Sequence, residues 1–177
     1  MAKDIQKLIA VRPQFQVNRG AVKCESGLST RYVATAIFDT AGLDSAGVAN
    51  TTVAAHGTGV YLPTKAIITR FWWDVITTFT TASADAGTIA VHAQSANDLV
   101  AAIAVSAAGD VWDAGMHAGK PGSFALDGNA LTQINMGAAL AATFIKLTAE
   151  REIIVTVGGQ ALTAGKAAFY VEYYISA

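Results

Sequence analysis

The segment AIITRFWWDVITTF, residues 66–79, alternates between two kinds of side chain with a period of two. Successive residues of a β-strand point to opposite faces, so this period predicts a strand with one core face and one mixed face. Its 14 residues exceed the usual length of a strand, which predicts a bend or a β-bulge within it. The apolar face carries Ile67, Phe71, Trp73, Val75 and Phe79, and the mixed face carries Arg70, Trp72, Asp74 and Thr78.

Five further segments have the β-branched and aromatic residues that favour strands. We expect residues 87–93 to form a hairpin with the long strand. We expect the link GGQALTAG to be the loop of a second hairpin, between residues 151–159 and 166–176. Many strands without crossover helices predict an all-β fold, an antiparallel β-sandwich resembling a jelly roll. The five segments are residues 31–38, 87–93, 143–149, 151–159 and 166–176.

One segment favours a short helix. Residues 96–109, ANDLVAAIAVSAAG, place Leu99 and Ile103 on one helical face, and Asn97 is a suitable N-cap. The following residues, 109–128, are rich in glycine and predict a long excursion from the sheets. Long loops in compact domains often carry binding or assembly contacts.

Charge is unevenly distributed along the chain. Residues 1–31 hold six basic and two acidic residues, a net charge of +4, which leaves −5 for the remainder of a chain whose total is −1. This distribution predicts a basic N-terminal arm at 1–30 and a β-sandwich domain at 31–177. Such an arm is suited to docking on an acidic surface, and a solvated terminus is the alternative. The arm's basic residues are Lys3, Lys7, Arg12, Arg19 and Lys23.

The segment IFDTAGLD, residues 37–44, contains a DTAG motif typical of the phosphate-sensing switch of small GTPases. A GTPase also needs a phosphate-binding loop, G-x-x-x-x-G-K-[ST]. Neither Gly-Lys pair of this chain is followed by Ser or Thr, and neither has the required upstream glycine. We therefore interpret DTAG as a strand end followed by an Asx-type turn.

Side chains that could support catalysis or bind a metal are scattered. His56, His92 and His117 are isolated in sequence, and Cys24 is the only cysteine, so no spacing indicates a zinc site or an intrachain disulfide. No G-x-S-x-G elbow is present. We expect no enzyme activity, no metal and no cofactor. The acidic body disfavours nucleic-acid binding, and the longest apolar run is about half a membrane span, so we expect no membrane segment.

Two segments resemble a pattern in virion proteins of tailed bacteriophages. The first is YLPTKAIITRFWWDVITTFTTASADAGTIAVHA, residues 61–93, and the second is KLTAEREIIVTVGGQALTAGKAAFYVEYYIS, residues 146–176. Those proteins are small β-sandwich cement or decoration proteins that bind the outside of the head shell, often as trimers. The resemblance implies that the major capsid protein and further copies of this chain are the partners.

Within that resemblance, Trp72, Tyr170 and Tyr174 are candidates for contacts between copies, because all three lie on the mixed faces of their strands. The basic arm is the candidate contact with the shell. A carbohydrate-binding head-fibre or receptor-binding module is an alternative, in which Trp112 of the glycine-rich loop would stack on sugar rings. A metal hydrolase that uses His117 with Asp110 or Asp113 is a third possibility.

Overall fold

The predicted strands are present in a computed structural model of the chain, and two of their predicted pairings are not. The structure describes residues 31–94, 96, 98–106, 111–118, 120–121, 133–134 and 145–176. Within these residues eleven strands form: β1 (Tyr32–Asp39), β2 (Ala55–Leu62), β3 (Ala66–Thr81), β4 (Thr88–His92), β5 (Val100–Ala104), β6 (Gly115–Ala118), β7 (Lys120–Pro121), β8 (Gln133–Ile134), β9 (Ile145–Lys146), β10 (Arg151–Gly158) and β11 (Leu162–Ile175).

The strands form two antiparallel sheets that pack as a sandwich. The first sheet has the order β1-β11-β3-β6, and β9 also pairs with β3; the second sheet has the order β2-β10-β4-β5. A separate two-stranded parallel pair joins β7 and β8. The predicted all-β, antiparallel sandwich is therefore confirmed.

The core lies between the two sheets and is built from the inward residues of each strand. Alternation of buried and exposed positions is clearest in β10, where Ile153, Val155 and Val157 are all buried. The first sheet and the segment before β6 contribute a cluster of aromatic rings in stacked, tilted and edge-on contacts, whose neighbouring centroids lie 5.6 to 6.2 Å apart. Aromatic side chains bury much apolar area each, so this cluster supplies much of the hydrophobic stabilisation. Its members are Phe38, Phe71, Trp73, Phe79, Trp112 and Phe169.

The long strand β3 contains the bulges that its length predicts. Glu172 of β11 pairs with Arg70, whereas the next residue of β11 pairs with Ile68, so Thr69 is an extra residue. Ile76 is a second extra residue, because consecutive residues of β11 pair with Thr77 and with Val75. Each bulge leaves one residue outside the ladder and bends the strand. Between the bulges the strand keeps a strict inward and outward alternation.

The predicted helix at 96–109 is wrong, because Val100–Ala104 is strand β5 and pairs with the edge of β4. Asp98 closes the turn before it: its carboxylate accepts hydrogen bonds from the backbone N–H of Ala93 at 2.8 Å and of Gln94 at 2.7 Å. In the described part of the chain, no helix is long and apolar enough to cross a membrane.

Both predicted hairpins are also wrong. β4 pairs with β10 and β5 in the second sheet, whereas β3 belongs to the first. The link between β10 and β11 likewise passes from the second sheet to the first. These connections cross between the layers, as in a jelly-roll type of sandwich, and join strands that lie in different sheets.

Candidate interaction surface

The outward side of the first sheet carries an unusual set of aromatic and aliphatic side chains. We call this surface the outer aromatic face. The pairing register brings outward residues of four strands side by side: Tyr170 of β11 is opposite Trp72 of β3 and Thr35 of β1. The face comprises Thr35, Ile37, Arg70, Trp72, Asp74, Ile76, Met116, Ala168, Tyr170, Glu172 and Tyr174.

The centre of the face is a stacked pair of rings. The centroids of Trp72 and Tyr170 lie 5.4 Å apart, and the ring planes differ by only 9°. The guanidinium carbon of Arg70 lies 5.4 Å from the centroid of the Trp72 ring, within the range of a cation–π contact. Both rings are half-buried, so one side of the stack remains open to solvent. Partly exposed Trp and Tyr side chains are of the residue types that concentrate binding energy at protein interfaces.

Exposed aliphatic side chains lie beside this stack on the outer aromatic face. Ile37, Ile76 and Met116 each expose more than half of their surface. Met116 of the short strand β6 pairs with Asp74 of β3, and Ile37 pairs with Ala168 of β11, which itself pairs with Asp74. Ile37 and Met116 therefore lie in one row of the sheet, next to the row of Trp72 and Tyr170 and on the side away from Arg70 and Glu172. A single exposed apolar residue is ordinary, whereas several on one face beside a partly exposed aromatic pair favour an interaction surface.

Charged groups of both signs lie on the same face. The Glu172 carboxylate accepts a hydrogen bond from the Thr69 hydroxyl at 2.8 Å and lies 3.8 Å from the Arg31 guanidinium. Arg70 lies opposite Glu172 in the backbone register of β3 and β11. Because these charges are largely compensated within the chain, the face can approach a protein surface without strong repulsion.

The three residues predicted to contact other copies share this face. Tyr174 is half-buried and lies four residues beyond Tyr170 on β11, with the intervening Val171 and Tyr173 pointing inward. The alternation of the sequence predicts their common face, whereas the stacking of Trp72 on Tyr170 depends on the register between β3 and β11, which the sequence does not give.

Trp112, the predicted ligand residue, lies in the core. Only 1% of its surface is exposed, and its ring packs against Trp73 at 6.0 Å and edge-on to Phe79 at 5.8 Å. Its carbonyl accepts a hydrogen bond from the Phe79 N–H at 3.0 Å, which ties the glycine-rich segment to β3. A ring enclosed in this way has no face free to stack on a sugar, so the geometry does not favour the carbohydrate-binding alternative.

The described histidines and acids do not form a metal-binding cluster. Among the described residues, no group of three or more His, Cys, Asp or Glu side chains could hold a metal ion. His117 stacks on Trp73 at 5.5 Å, and its Nε2 lies 2.9 Å from the carbonyl of Asp113, while Asp110 lies outside the described residues. Burial lowers the pKa of His92, and the nearby Asp98 carboxylate opposes that effect.

One polar contact was not foreseen from the sequence. The side chains of His56 and Asp44 are both buried, and His56 Nδ1 lies 3.0 Å from the Asp44 carboxylate. The backbone N–H of Val48 and, to a smaller extent, the His56 ring and the N–H of Ala46 hold the pKa of Asp44 below its ordinary value. Only the pattern of one acid within a glycine- and threonine-rich loop, twelve residues before a histidine, could have hinted at this pair.

At the base of the same loop, the predicted Asx turn is confirmed. The Asp39 carboxylate accepts a hydrogen bond from the Ala41 N–H at 2.9 Å, two residues ahead. Lys166 lies 2.9 Å from the same carboxylate and, together with that N–H, lowers the pKa of Asp39. The basic residues of the predicted arm, Lys3, Lys7, Arg12, Arg19 and Lys23, lie outside the described residues.

Comparison with known proteins gives a structural likeness. No protein-family model matches the sequence, and no curated protein matches it. A chain of the cyanophage Pam1 capsid asymmetric unit is similar to this chain with a TM-score of 0.53 and 18% identity, over 94% of this chain and 99% of that one. A chain of the acidic stable capsid structure of Helicobacter pylori bacteriophage KHP30 is similar with a TM-score of 0.50 and 11% identity, over 83% of this chain and 89% of that one. At these identities the likeness shows a shared fold.

Proposed function

We propose that this protein is a virion structural protein of a tailed bacteriophage. It attaches as an oligomer, a trimer, to the outer surface of the capsid and stabilises the head by cementing neighbouring subunits of the major capsid protein. It acts through shape and adhesion and uses no cofactor. Its place is the outer surface of the virion, after synthesis in the host cytoplasm.

The observation that carries the proposal is the outer aromatic face. The partly exposed Trp72–Tyr170 stack lies on one face with exposed Ile37, Ile76 and Met116, which is more apolar surface than a lone soluble monomer normally presents in one place. Aromatic and aliphatic side chains of this kind are enriched where proteins meet. We assign this face, with Tyr174, to contacts between copies.

The fold supports the same function. The two capsid chains share this sandwich over most of their length, and the two sequence segments that resemble phage virion proteins coincide with β3, β4, β10 and β11. A fold alone does not fix a function. The likeness supports a virion role because it agrees with a surface suited to assembly.

Cementing follows from having several contacts at once. Packed DNA pushes the subunits of a phage head apart. A trimer can contact several capsid subunits at once. After its first contact forms, each further contact is intramolecular and benefits from a high effective concentration, so contacts that are weak singly give strong binding together. The basic arm at 1–30 extends the reach of each copy and supplies a contact that salt weakens.

Co-sedimentation tests this function directly. The purified chain is mixed with heads of the encoding phage that were assembled without it, and both the pellet and the heat resistance of the heads are measured. We expect saturable binding and heads that withstand a higher temperature. A chain that lacks residues 1–30 should bind more weakly, and its residual binding should depend less on salt. Absence of binding by the full chain would refute the proposal, and equal binding by both chains would refute the role of the arm.

A further inference from the structure

Strand β1 is a long and regular strand at the edge of the first sheet. Its eight residues pair with β11 in one unbroken register, and no described residue pairs with its other side. The segment Tyr32–Phe38 contains neither a charged residue nor a proline. The backbone groups of such an edge readily form hydrogen bonds with another strand, and proteins usually protect an edge with charge, proline, a bulge or a short strand.

The outer strands at the other ends of the two sheets carry such protection. β6 and β5 have only four and five residues. β2 is as long as β1, but its pairing with β10 is irregular, and Gly59 within it has a φ of 72°. A bulge or an unusual backbone conformation twists an edge and disfavours a further strand. Within the described part of the chain, β1 is therefore the edge best suited to accept one.

The end of the β1–β11 ladder shows which backbone groups point to the free edge. The Thr40 N–H donates to the Gly165 carbonyl of β11 at 3.0 Å. In an antiparallel ladder every second residue faces the same neighbour, so the even-numbered residues of β1 face β11 and the odd-numbered ones face away from it. The N–H and C=O groups of three residues consequently point to the free edge, and no described residue bonds to them. These residues are Val33, Thr35 and Ile37.

A second copy of β1 is complementary to this edge. When two copies pair antiparallel about a two-fold axis at Thr35, the two Thr35 residues lie opposite each other, and Val33 of each copy lies opposite Ile37 of the other. Facing threonines stabilise an antiparallel pair, and β-branched side chains such as Val and Ile fit its pleated surface. Ile37, which is 58% exposed in one chain, gains an apolar neighbour in this arrangement.

Charge at the two ends of β1 selects this register. With Thr35 on the axis, Arg31 of each copy lies opposite Asp39 of the other, because both are four residues from Thr35. The Arg31 side chain is 68% exposed, and the Asp39 carboxylate remains partly exposed beside Lys166. A shift of the register by two residues would remove this placement of opposite charges. Between the two ends the strand carries no charge, so no like charges of the two strands meet.

We propose that the free edge of β1 binds β1 of a second copy, antiparallel about a two-fold axis at Thr35, so that the first sheets of two chains become one continuous sheet. A two-fold contact is complete with two chains and cannot by itself close a trimer. It therefore joins chains of two neighbouring oligomers, and in this respect the inference rests on the proposed function. Pairing of this kind links the oligomers to one another on the capsid surface, in addition to their contacts with the shell.

Cross-linking of the full chain in solution tests the pairing and its register. Thr35→Cys is made together with Cys24→Ser, so that the new thiol is the only one. In the proposed register, position 35 of one copy lies about 5.5 Å from position 35 of the other, whereas the two copies of position 33 lie about 14 Å apart. Val33→Cys with the same Cys24→Ser change is therefore the matched control.

The reagent is a bifunctional thiol reagent whose span lies between these two distances. Each rate of cross-linking is divided by the rate with a monofunctional reagent of the same chemistry, which corrects for exposure of the thiol. We expect position 35 to link two chains at least roughly tenfold faster than position 33, because only there does the second thiol lie within reach.

Sedimentation measures the contribution of the edge to association. Thr35→Pro removes the N–H at the centre of the proposed pairing, and since that N–H has no described partner within its own chain, the variant should fold. Thr35→Val is the matched control, because it keeps the N–H and a β-branched side chain. We expect Thr35→Pro to weaken the association between oligomers at least roughly tenfold and Thr35→Val to leave it unchanged. Circular dichroism and thermal unfolding verify that both variants fold.

Equal cross-linking at positions 35 and 33, or equal association of Thr35→Pro and Thr35→Val, would overturn the inference. Cross-linking at position 35 that appears only after deletion of residues 1–30 would overturn it too, since the chain's own leading segment would then occupy the edge. A Thr35→Pro chain that associates normally but no longer binds heads would assign the edge to the shell protein instead. Failure of the wild-type chain to bind heads would refute the proposed function, whereas cross-linking in solution would still decide the two-fold pairing.

Discussion

Replacing Trp72 by alanine separates the stability of one chain from the strength of its assembly. Within the chain, the substitution removes the stack on Tyr170, with centroids 5.4 Å apart, and the contact with the Arg70 guanidinium. A stacked aromatic pair contributes about 0.5–1.5 kcal/mol, and a cation–π contact at an exposed site about 0.5–1 kcal/mol. We therefore expect the folded chain to lose about 1–2.5 kcal/mol, which a sandwich of this size tolerates.

The effect on assembly should be larger. An aromatic residue at the centre of an interface typically contributes about 2 kcal/mol or more, which corresponds to roughly a 30-fold weaker association at each contact between copies. Sedimentation equilibrium measures the association constant, and urea unfolding at several protein concentrations measures the stability of the chain and of the oligomer together. Trp72→Phe is the matched variant, because it keeps an aromatic ring over Tyr170 and should retain most of the association.

A refuting result is easy to recognise. If Trp72→Ala forms the same oligomer with the same association constant while the chain is destabilised as expected, the outer aromatic face does not join copies. The partner of that face would then be the shell or no protein at all.

Two further predictions concern the sandwich itself. Gly165 has a φ of 141°, and a Cβ placed there would overlap the ring of Phe79. Gly165→Ala should therefore lower the free energy of unfolding, measured by urea titration, by about 2–4 kcal/mol. A loss below about 1 kcal/mol would contradict this geometry. The pKa of Asp44 is below its ordinary value of 3.8 in the folded state, so its ionisation stabilises the fold above that pH, and this contribution is lost as the pH falls through the lowered pKa. The difference in Tm between the wild-type chain and Asp44→Asn should therefore shrink as the pH falls below about 5 and through the lowered pKa of Asp44. A difference that stays constant would show that the charge of this carboxylate does not contribute to stability.

Periodicity predicts the strands of this fold much better than it predicts their partners. The alternation gives the correct inward and outward faces for β3 between its bulges, because burial in a two-layer sandwich imposes a period of two. Before the bulge at Thr69 the two faces are exchanged, so Ile68 is buried in the core and the predicted Ile67 is not. Pairing depends on which sheet each strand joins. Strands that are consecutive in sequence are often neighbours in a sheet, but this is not a rule. The connections after β3 and after β10 change layers, so both predicted hairpins fail.

The predicted helix fails for a different reason. An Ala-rich segment such as 100–104 has a good intrinsic helix propensity, but that preference is small and tertiary context overrides it. The exposed edge of β4 gains backbone hydrogen bonds when β5 pairs with it, and Ile103 and Val100 then fall into the core. Asp98 closes the turn with two hydrogen bonds instead of capping a helix.

Strand β2 is difficult to predict from the sequence. Its segment AHGTGVYL contains two glycines, which weaken a strand prediction. Both are required by the structure: a Cβ at Gly57 would overlap the side chains of Ser45 and Glu152, and Gly59 has a φ of 72° beside the irregular pairing with β10. The Asp44–His56 pair depends on this strand, so it could not be predicted without it.

The pairing of β1 with β11 has a mechanical consequence. Eight consecutive residues of β1, from Tyr32 to Asp39, are registered against β11, and the chain enters β1 from the segment that precedes Arg31. A force on that segment along the strand axis would load all the β1–β11 hydrogen bonds together in shear. These hydrogen bonds would then not break one after another. The same strand joins both ends of the sandwich, so tension applied at one end is carried to the other along a covalent path.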